Sequence, residues 1–400
     1  MEIRNDILPV LKPYGGKEEI DSLTEVIKSG WWGKGPKVEE FEEKFSRMVG
    51  AKYALAVTSA SHGQDLVMKA LGMKNIDVIN PAQSFIATAM IPLWNEYTSN
   101  IVDVLPDTLC LDPEEIPRYK KNNSELLIAV NHAGVPADYK NIRKNFGGFI
   151  IEDTAHSCYT DGAGRGGDCA VWSFQAVKTM PCGDGGMITS DDADLIKKCR
   201  DMTWFGVSST WSRTKGLNGK PGYSWNYDVN HIGYKYYMID IMAAICLVQM
   251  EKLPMHLKHR RHIQKRYNNE LHPDIIRPVH SETVQYYCAR VNSGIRDDLI
   301  DYLAHKKIHT SVHFKPLYLY DPLEQKRSYP VMDKEWIKLI SLPCHNAMNE
   351  DELVEFKKKI TKNIPNDIEY VAELKLDGLA VELVYENGEF IYGSTRGDGF

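Results

Sequence analysis

Apolar residues recur at helical spacing twice near the start of the chain. Over residues 17–28, Ile20, Leu23, Val26 and Ile27 share a face, and over 37–48 Val38, Phe41, Phe45 and Met48 do the same. Two amphipathic helices are expected, joined by the glycine-rich loop Gly30-Trp31-Trp32-Gly33-Lys34-Gly35-Pro36. The pattern then changes to short apolar runs at 53–57, 126–130, 149–151 and 170–172, each the length of a buried strand. Residues 64–71 and 191–206 read as helices, the second opened by Asp191-Asp192-Ala193-Asp194. The stretch 78–89 reads as strand, loop and helix start. A long amphipathic helix is expected over 247–271. After it come a strand at 284–291, a helix at 296–305, a strand at 309–314 and a helix at 350–360.

The strand ends draw attention to one stretch. The run at 149–151 stops at Glu152 and Asp153, and the run at 170–172 stops at Ser173 and Phe174, with Lys178 following in a turn-rich segment. In open α/β sheets reactive groups gather beyond the carboxyl ends of strands, so an Asp and a Ser-to-Lys pair face one crevice. A lysine amine forms a Schiff base with a carbonyl such as that of pyridoxal phosphate (PLP). An Asp keeps the pyridine nitrogen of that cofactor protonated. A Ser and helix-start amides make a phosphate cradle.

Composition narrows the classes. The chain has 400 residues, 43% hydrophobic and 26% charged, which is ordinary for a globular protein of two or three domains. A net charge of −6 argues against a broad nucleic-acid surface. The start, Met1-Glu2-Ile3-Arg4-Asn5-Asp6, has no apolar core of a secretory signal, and no apolar run reaches membrane-spanning length. Eight cysteines without C-x-x-C spacing indicate neither a disulfide framework nor a zinc site, and a cytoplasmic enzyme is expected. His256, His259 and His262, among Lys258, Arg260 and Arg261, read as a solvated basic face rather than metal ligands, as do His305, His309 and His313. Gly162-x-Gly164-x-x-Gly167 has dinucleotide-fingerprint spacing, but it neither follows a strand directly nor opens a helix, so NAD binding there is rejected.

Glu152-Asp153-Thr154-Ala155-His156, then Trp172-Ser173-Phe174-Gln175-Ala176-Val177-Lys178, then Gly183-Asp184-Gly185-Gly186, resembles the DegT/StrS-type sugar aminotransferases. The resemblance implies the aspartate-aminotransferase fold (fold type I): an α/β large domain on a mostly parallel seven-stranded sheet and a smaller α+β C-terminal domain. The boundaries expected are 1–250 and 251–363. It further implies PLP as cofactor, with Lys178 as the Schiff-base lysine and proton shuttle, and Asp153 on the pyridinium. His156 then lies on the ring's hydroxyl side, Ala60, Ser61 and Ser173 on the phosphate, and Phe85 against the ring. Ser59-Ala60-Ser61 stands where the family has S-[GA]-T. The segment 234–245 resembles one that crosses a homodimer interface toward the neighbour's phosphate, which gives Lys235 that role. Ile239 and Cys246 depart from the commoner Asn and Gly there. Thr310-Ser311-Val312-His313-Phe314 gives His313 a place in the sugar pocket. The implied reaction is amino transfer from glutamate to a nucleotide-linked keto sugar, of 4-keto-6-deoxyhexose type. A PLP sugar dehydratase of the same fold is the alternative, but such enzymes commonly carry His in place of Lys178.

Residues 364–400 do not belong to that pattern. Two alternating strands at 379–385 and 390–394 flank Glu386-Asn387-Gly388, a hairpin signal. Glu373-Leu374-Lys375-Leu376-Asp377-Gly378 and Thr395-Arg396-Gly397-Asp398-Gly399 resemble the adenylation domain of NAD-dependent DNA ligases. There Lys375 would take AMP, with Glu373 and Arg396 in the nucleotide pocket. One hairpin buries too little to form a core, so this segment is expected to be inactive as a ligase, and nucleotidyl transfer is kept as a further alternative.

Overall fold

The computed structural model describes residues 6–208, 211–212, 216–217, 224–279, 281–292, 294–361, 381–386 and 389–395. Its centre is a seven-stranded sheet built from β1 (Tyr53–Val57), β2 (Asp77–Pro81), β3 (Thr98–Val102), β4 (Leu126–Val130), β5 (Phe149–Asp153), β6 (Cys169–Ser173) and β7 (Gly186–Ser190), in the order β1-β7-β6-β5-β4-β2-β3. The run from β3 to β6 is parallel, and β7 lies antiparallel to both β6 and β1. This is the mostly parallel sheet of a fold type I enzyme.

Helices cover both faces, which is why the central strands are apolar without alternation. These are α1 (Lys17–Ser29), α2 (Pro36–Val49), α3 (Ala60–Leu71), α4 (Ala87–Trp94), α5 (Ile116–Tyr119), α6 (Tyr139–Asn145) and α7 (Ala193–Met202). On one face Leu66 and Val67 of α3 and Leu195 and Cys199 of α7 pack on Ile128, Ile151, Val171 and Ile188. On the other, Phe41 and Phe45 of α2 meet Trp172 and Met187, while Ile142 and Phe146 pack on Leu127 and Ile150. Neighbouring residues of a strand thus enter opposite cores.

Helix α8 (Asp240–Glu270) leads to the smaller unit, where β10 (Tyr287–Arg290) pairs antiparallel with β11 (Leu339–Leu342) beside α9 (Arg296–His305), α10 (Pro330–Glu335) and α11 (Glu350–Thr361). Two-residue strands β8 (Trp211–Ser212) and β9 (Gly216–Leu217) pair within the long polar segment before α8. In the C-terminal segment β12 (Val381–Glu386) and β13 (Glu389–Thr395) form the expected hairpin.

Several expectations need correction. Helix α1 turns Glu19 and Val26 inward, leaving Ile20 64% exposed. The inward carboxylate of Glu19 accepts hydrogen bonds from Gln249 (2.7 Å) and Lys252 (2.8 Å) of α8, and these set the helix's rotation in place of its apolar stripe. Residues 309–314 are not a strand. Only Ser311 pairs with Ser341, and the chain then leaves the sheet, with the His313 carbonyl accepting from Gln83 Nε2 at 2.7 Å. The basic face expected on α8 is solvated only in part, at Lys258, Arg261 and His262. His256 and Arg260 are buried, with Arg260 donating to the carbonyls of Val284 and Gln285, and His259 bonds to the Met348 carbonyl at 2.9 Å. Among the described residues no cluster of His, Cys, Asp or Glu could hold a metal ion.

The outer edge of β3 is sealed by a side chain. Gln325 donates from Nε2 to the Ser99 carbonyl at 2.6 Å, and its Oε1 accepts from the Ile101 N–H at 3.4 Å. At the far edge, β1 is met by the segment before α8, through the Val57–Tyr237 bridge and the Thr58 N–H donating to the Tyr236 carbonyl at 2.8 Å.

Candidate active site

The carboxyl ends of β5 and β6 carry Asp153 and Ser173. Asp153 is buried; its Oδ2 accepts from Gln64 Nε2 of α3 at 2.8 Å and its Oδ1 from the Ala155 N–H at 3.0 Å. Lys178 lies in the turn beyond β6, its N–H donating to the Gln175 carbonyl at 2.8 Å. Burial pushes the Lys178 ammonium down to about 8, while the Asp153 charge pulls it up. Burial pushes Asp153 up, and the Ala155 N–H, the Lys178 charge and Gln64 hold it down. Asp153 and Lys178 thus follow neighbouring parallel strands, the carboxylate buried and the lysine half-buried, and each shifts the other's basicity.

His156 is buried in the loop after β5, and its Nε2 meets the Tyr286 hydroxyl at 2.6 Å. Its ring faces that of Phe314, with centroids 6.1 Å apart and planes at 25°. His313 stacks on Tyr286 at 4.1 Å and 9°, and its Nδ1 bonds with Ser341 Oγ at 2.8 Å. Burial, then the Lys178 charge, lowers both imidazoles, His156 well below the usual range and His313 to about 4. Both rings are thus neutral at physiological pH and both sense Lys178. Phe85 is 54% exposed, its ring edge-on to Phe314 with centroids 5.7 Å apart, so it is not a core residue.

At the start of α3 the cap is Ser59, whose Oγ accepts from the His62 N–H at 3.1 Å. Ala60 and Ser61 are the first two residues of the helix, where backbone N–H groups have no partner within it. The backbone of Ser59 and Ala60 runs so close to Gly186 that a Cβ there would sit 2.5 Å from the Ala60 nitrogen. Ser173 Oγ accepts from the Gln175 N–H at 3.5 Å. Lys235 lies apart from this group. It is exposed, bridges Trp204 by backbone and rests its Nζ 5.9 Å from the Trp204 ring centre. Lys375, Glu373 and Arg396 lie outside the described residues.

The rejected glycine pattern has a structural use. The N–H groups of Gly164, Gly166 and Gly167 donate to the buried carboxylate of Glu152 at 2.7, 2.9 and 3.3 Å, and Asn131 Nδ2 joins them at 2.8 Å. A loop shaped to receive an anion is filled by the protein's own.

Three contributors carried no signal in the sequence. Gln64 reaches Asp153 from α3. Tyr286 reaches His156 from the smaller unit. Gln285 brackets Lys178, donating from Nε2 to the Val177 carbonyl at 2.8 Å and accepting from Thr179 Oγ1 at 2.9 Å.

Comparison with known proteins gives the family and the fold. The profile of the DegT/DnrJ/EryC1/StrS aminotransferase family matches residues 13–361, and that of the NAD-dependent DNA ligase adenylation domain matches 334–400. The two overlap over 334–361, so the ligase likeness begins earlier than the expected 364. The chain is 34% identical over 375 residues to the spore coat polysaccharide biosynthesis protein SpsC of Bacillus subtilis, covering 88% of this chain and 95% of that protein. In structure it is similar to the aminotransferase TlmJ of Streptoalloteichus hindustanus, with a TM-score of 0.82 and 26% identity over 88% of this chain and 98% of TlmJ. It also shares its fold with DesI, crystallised in the presence of its TDP-sugar product, with a TM-score of 0.79 and 24% identity over 89% of this chain and 93% of DesI. The chain belongs to the DegT/DnrJ/EryC1/StrS aminotransferase family.

Proposed function

We propose that the chain is a PLP-dependent aminotransferase that moves an amino group from glutamate to a nucleotide-linked keto sugar, of the 4-keto-6-deoxyhexose type. The observation that carries this is the buried Asp153 carboxylate at the carboxyl end of β5, held by Gln64 and the Ala155 N–H, with Lys178 following the neighbouring strand β6. The residues present fit PLP: a primary amine and a buried carboxylate follow neighbouring strands, and the buried Nδ1 of His156 and Oε1 of Gln64 have no partner. When bound, PLP supplies the electron sink that makes a substrate C–H acidic. In this reading Asp153 holds the pyridinium, oriented by Gln64. Phe85 covers a ring face, and Ala60, Ser61 and Ser173 hold the phosphate. Lys178 would supply the amine that holds PLP and would accept and return the proton at the substrate carbon. Its lowered basicity suits a group that must both accept and return a proton. His313 faces the sugar.

SpsC, named for spore coat polysaccharide biosynthesis, and DesI, solved with a TDP-sugar product, support a sugar nucleotide as acceptor. A homodimer, with Lys235 reaching the neighbour's phosphate, is supported by the exposed Trp225, Val229 and Ile232 beside it in sequence. No helix among the described residues is long and apolar enough to cross a membrane, and a cytoplasmic site is proposed.

Mixing the protein with PLP is the test. An absorbance band that is shifted by glutamate and lost in Lys178→Ala is expected. A band that survives Lys178→Ala refutes the assignment. Lys178 itself weighs against the dehydratase alternative. Labelled NAD is expected to leave no AMP on Lys375, and transfer there would establish the ligase-like activity instead.

A further inference from the structure

The imidazole of His156 is held at one nitrogen only. Nε2 meets the Tyr286 hydroxyl at 2.6 Å, and Nδ1 is buried without a partner. Among the described residues the Tyr286 hydroxyl has no hydrogen-bond partner besides His156. A neutral imidazole carries its proton on one nitrogen or the other. With the proton on Nε2, the tyrosine oxygen accepts. Its own proton is then stranded, and a bare Nδ1 lone pair is stranded with it. With the proton on Nδ1, the tyrosine donates to Nε2 and a single group is left over, the Nδ1–H. Buried polar groups left unpaired are costly, so the second arrangement is favoured.

We propose that Tyr286 is a positioning residue whose hydroxyl donates to Nε2 of His156, fixing the tautomer that presents Nδ1–H to the phenolate oxygen of PLP. This rests on the PLP reading above. Burial keeps both partners in the required state, raising the Tyr286 hydroxyl and lowering the imidazole. The charged or titratable groups that act on His156 are Lys178, His132 and His313. Neither histidine competes for Nδ1. His132 meets the His156 ring edge-on, with centroids 6.3 Å apart, and the His313 Nδ1 bonds with Ser341. Tyr286 belongs to the smaller unit, immediately before β10, so that unit sets the hydrogen-bonding character of a residue in the loop after β5.

The first test uses PLP-free protein. Nitrogen-15 NMR of its histidines, with the His156 signals assigned by their loss in His156→Asn, is expected to show a pyrrole-type Nδ1 and a pyridine-type Nε2. The reverse pattern in the unaltered protein overturns the proposal, whatever any variant does. Tyr286→Phe, which keeps the ring on His313, should abolish the bias. The second test is the absorbance of PLP-loaded protein against pH. Loss of a donor to the phenolate should raise the midpoint in Tyr286→Phe by about half a unit, a roughly threefold change in proton affinity. In the His156→Asn background the same substitution should leave the midpoint in place, and an equal shift there overturns the proposal. Failure to load PLP at all defeats the proposed function, while the NMR test of the tautomer still stands.

Discussion

The basicity of Lys178 yields a prediction that can be worked through. Burial lowers its ammonium from 10.5 to about 8, against the pull of Asp153. At pH 7 about one amine in ten is then neutral, against about one in three thousand for an unperturbed lysine, a gain of roughly 300-fold in reactive nucleophile. Stopped-flow absorbance of PLP capture should therefore rise about tenfold per pH unit at low pH and level off near 8. Asp153→Asn removes the charge that favours the ammonium, so its midpoint should move to lower pH. The same change removes the pyridinium partner, so the captured PLP should dissociate more readily. Capture that still climbs tenfold per unit above pH 9, or a midpoint that rises in Asp153→Asn, would refute the reasoning.

Two further outcomes follow from buried hydrogen bonds. Gln285→Leu strands the Val177 carbonyl and the Thr179 hydroxyl, and should cost about 2–4 kcal/mol in denaturant unfolding. Adding Thr179→Val to Gln285→Leu should cost less than Thr179→Val alone, and strict additivity would show that the bracket does not exist. Glu152→Gln turns an amide NH₂ toward N–H donors and should cost about 3 kcal/mol by the same measurement, and a change below about 0.5 kcal/mol would contradict the anionic role given to that carboxylate.

What could be read along the chain was whatever is encoded locally. The strand runs at 126–130 and 149–151 announce themselves because β4 and β5 are buried on both faces. The place of Asp153 was legible because the apolar run of β5 stops at the acids. Gln64, Gln285 and Tyr286 were not, because each acts on a residue far along the chain, and no periodicity records such a meeting. The start of α3 shows a finer limit. Thr58, Ser59 and Ser61 all offer hydroxyls, and only the backbone bend at Ser59 decides which one caps. The misread rotation of α1 has a similar cause. An amphipathic stripe predicts the inward face only where no buried charge competes, and Glu19 competes.

The way the sheet is closed bears on how copies of the chain can associate. An open strand edge is a template for pairing with another chain. Here the Gln325 amide imitates a peptide unit against β3, while β1 is met by the segment before α8 at Val57 and by the side chains of Glu42 and Arg200 at Ala56 and Ala54, so backbone addition is hindered at either margin of this sheet. Copies that associate at this sheet are left its side-chain surfaces, rather than a growing ribbon. A Gln325→Ala protein would uncover the β3 margin, and fibrillar material in concentrated stocks would be its signature.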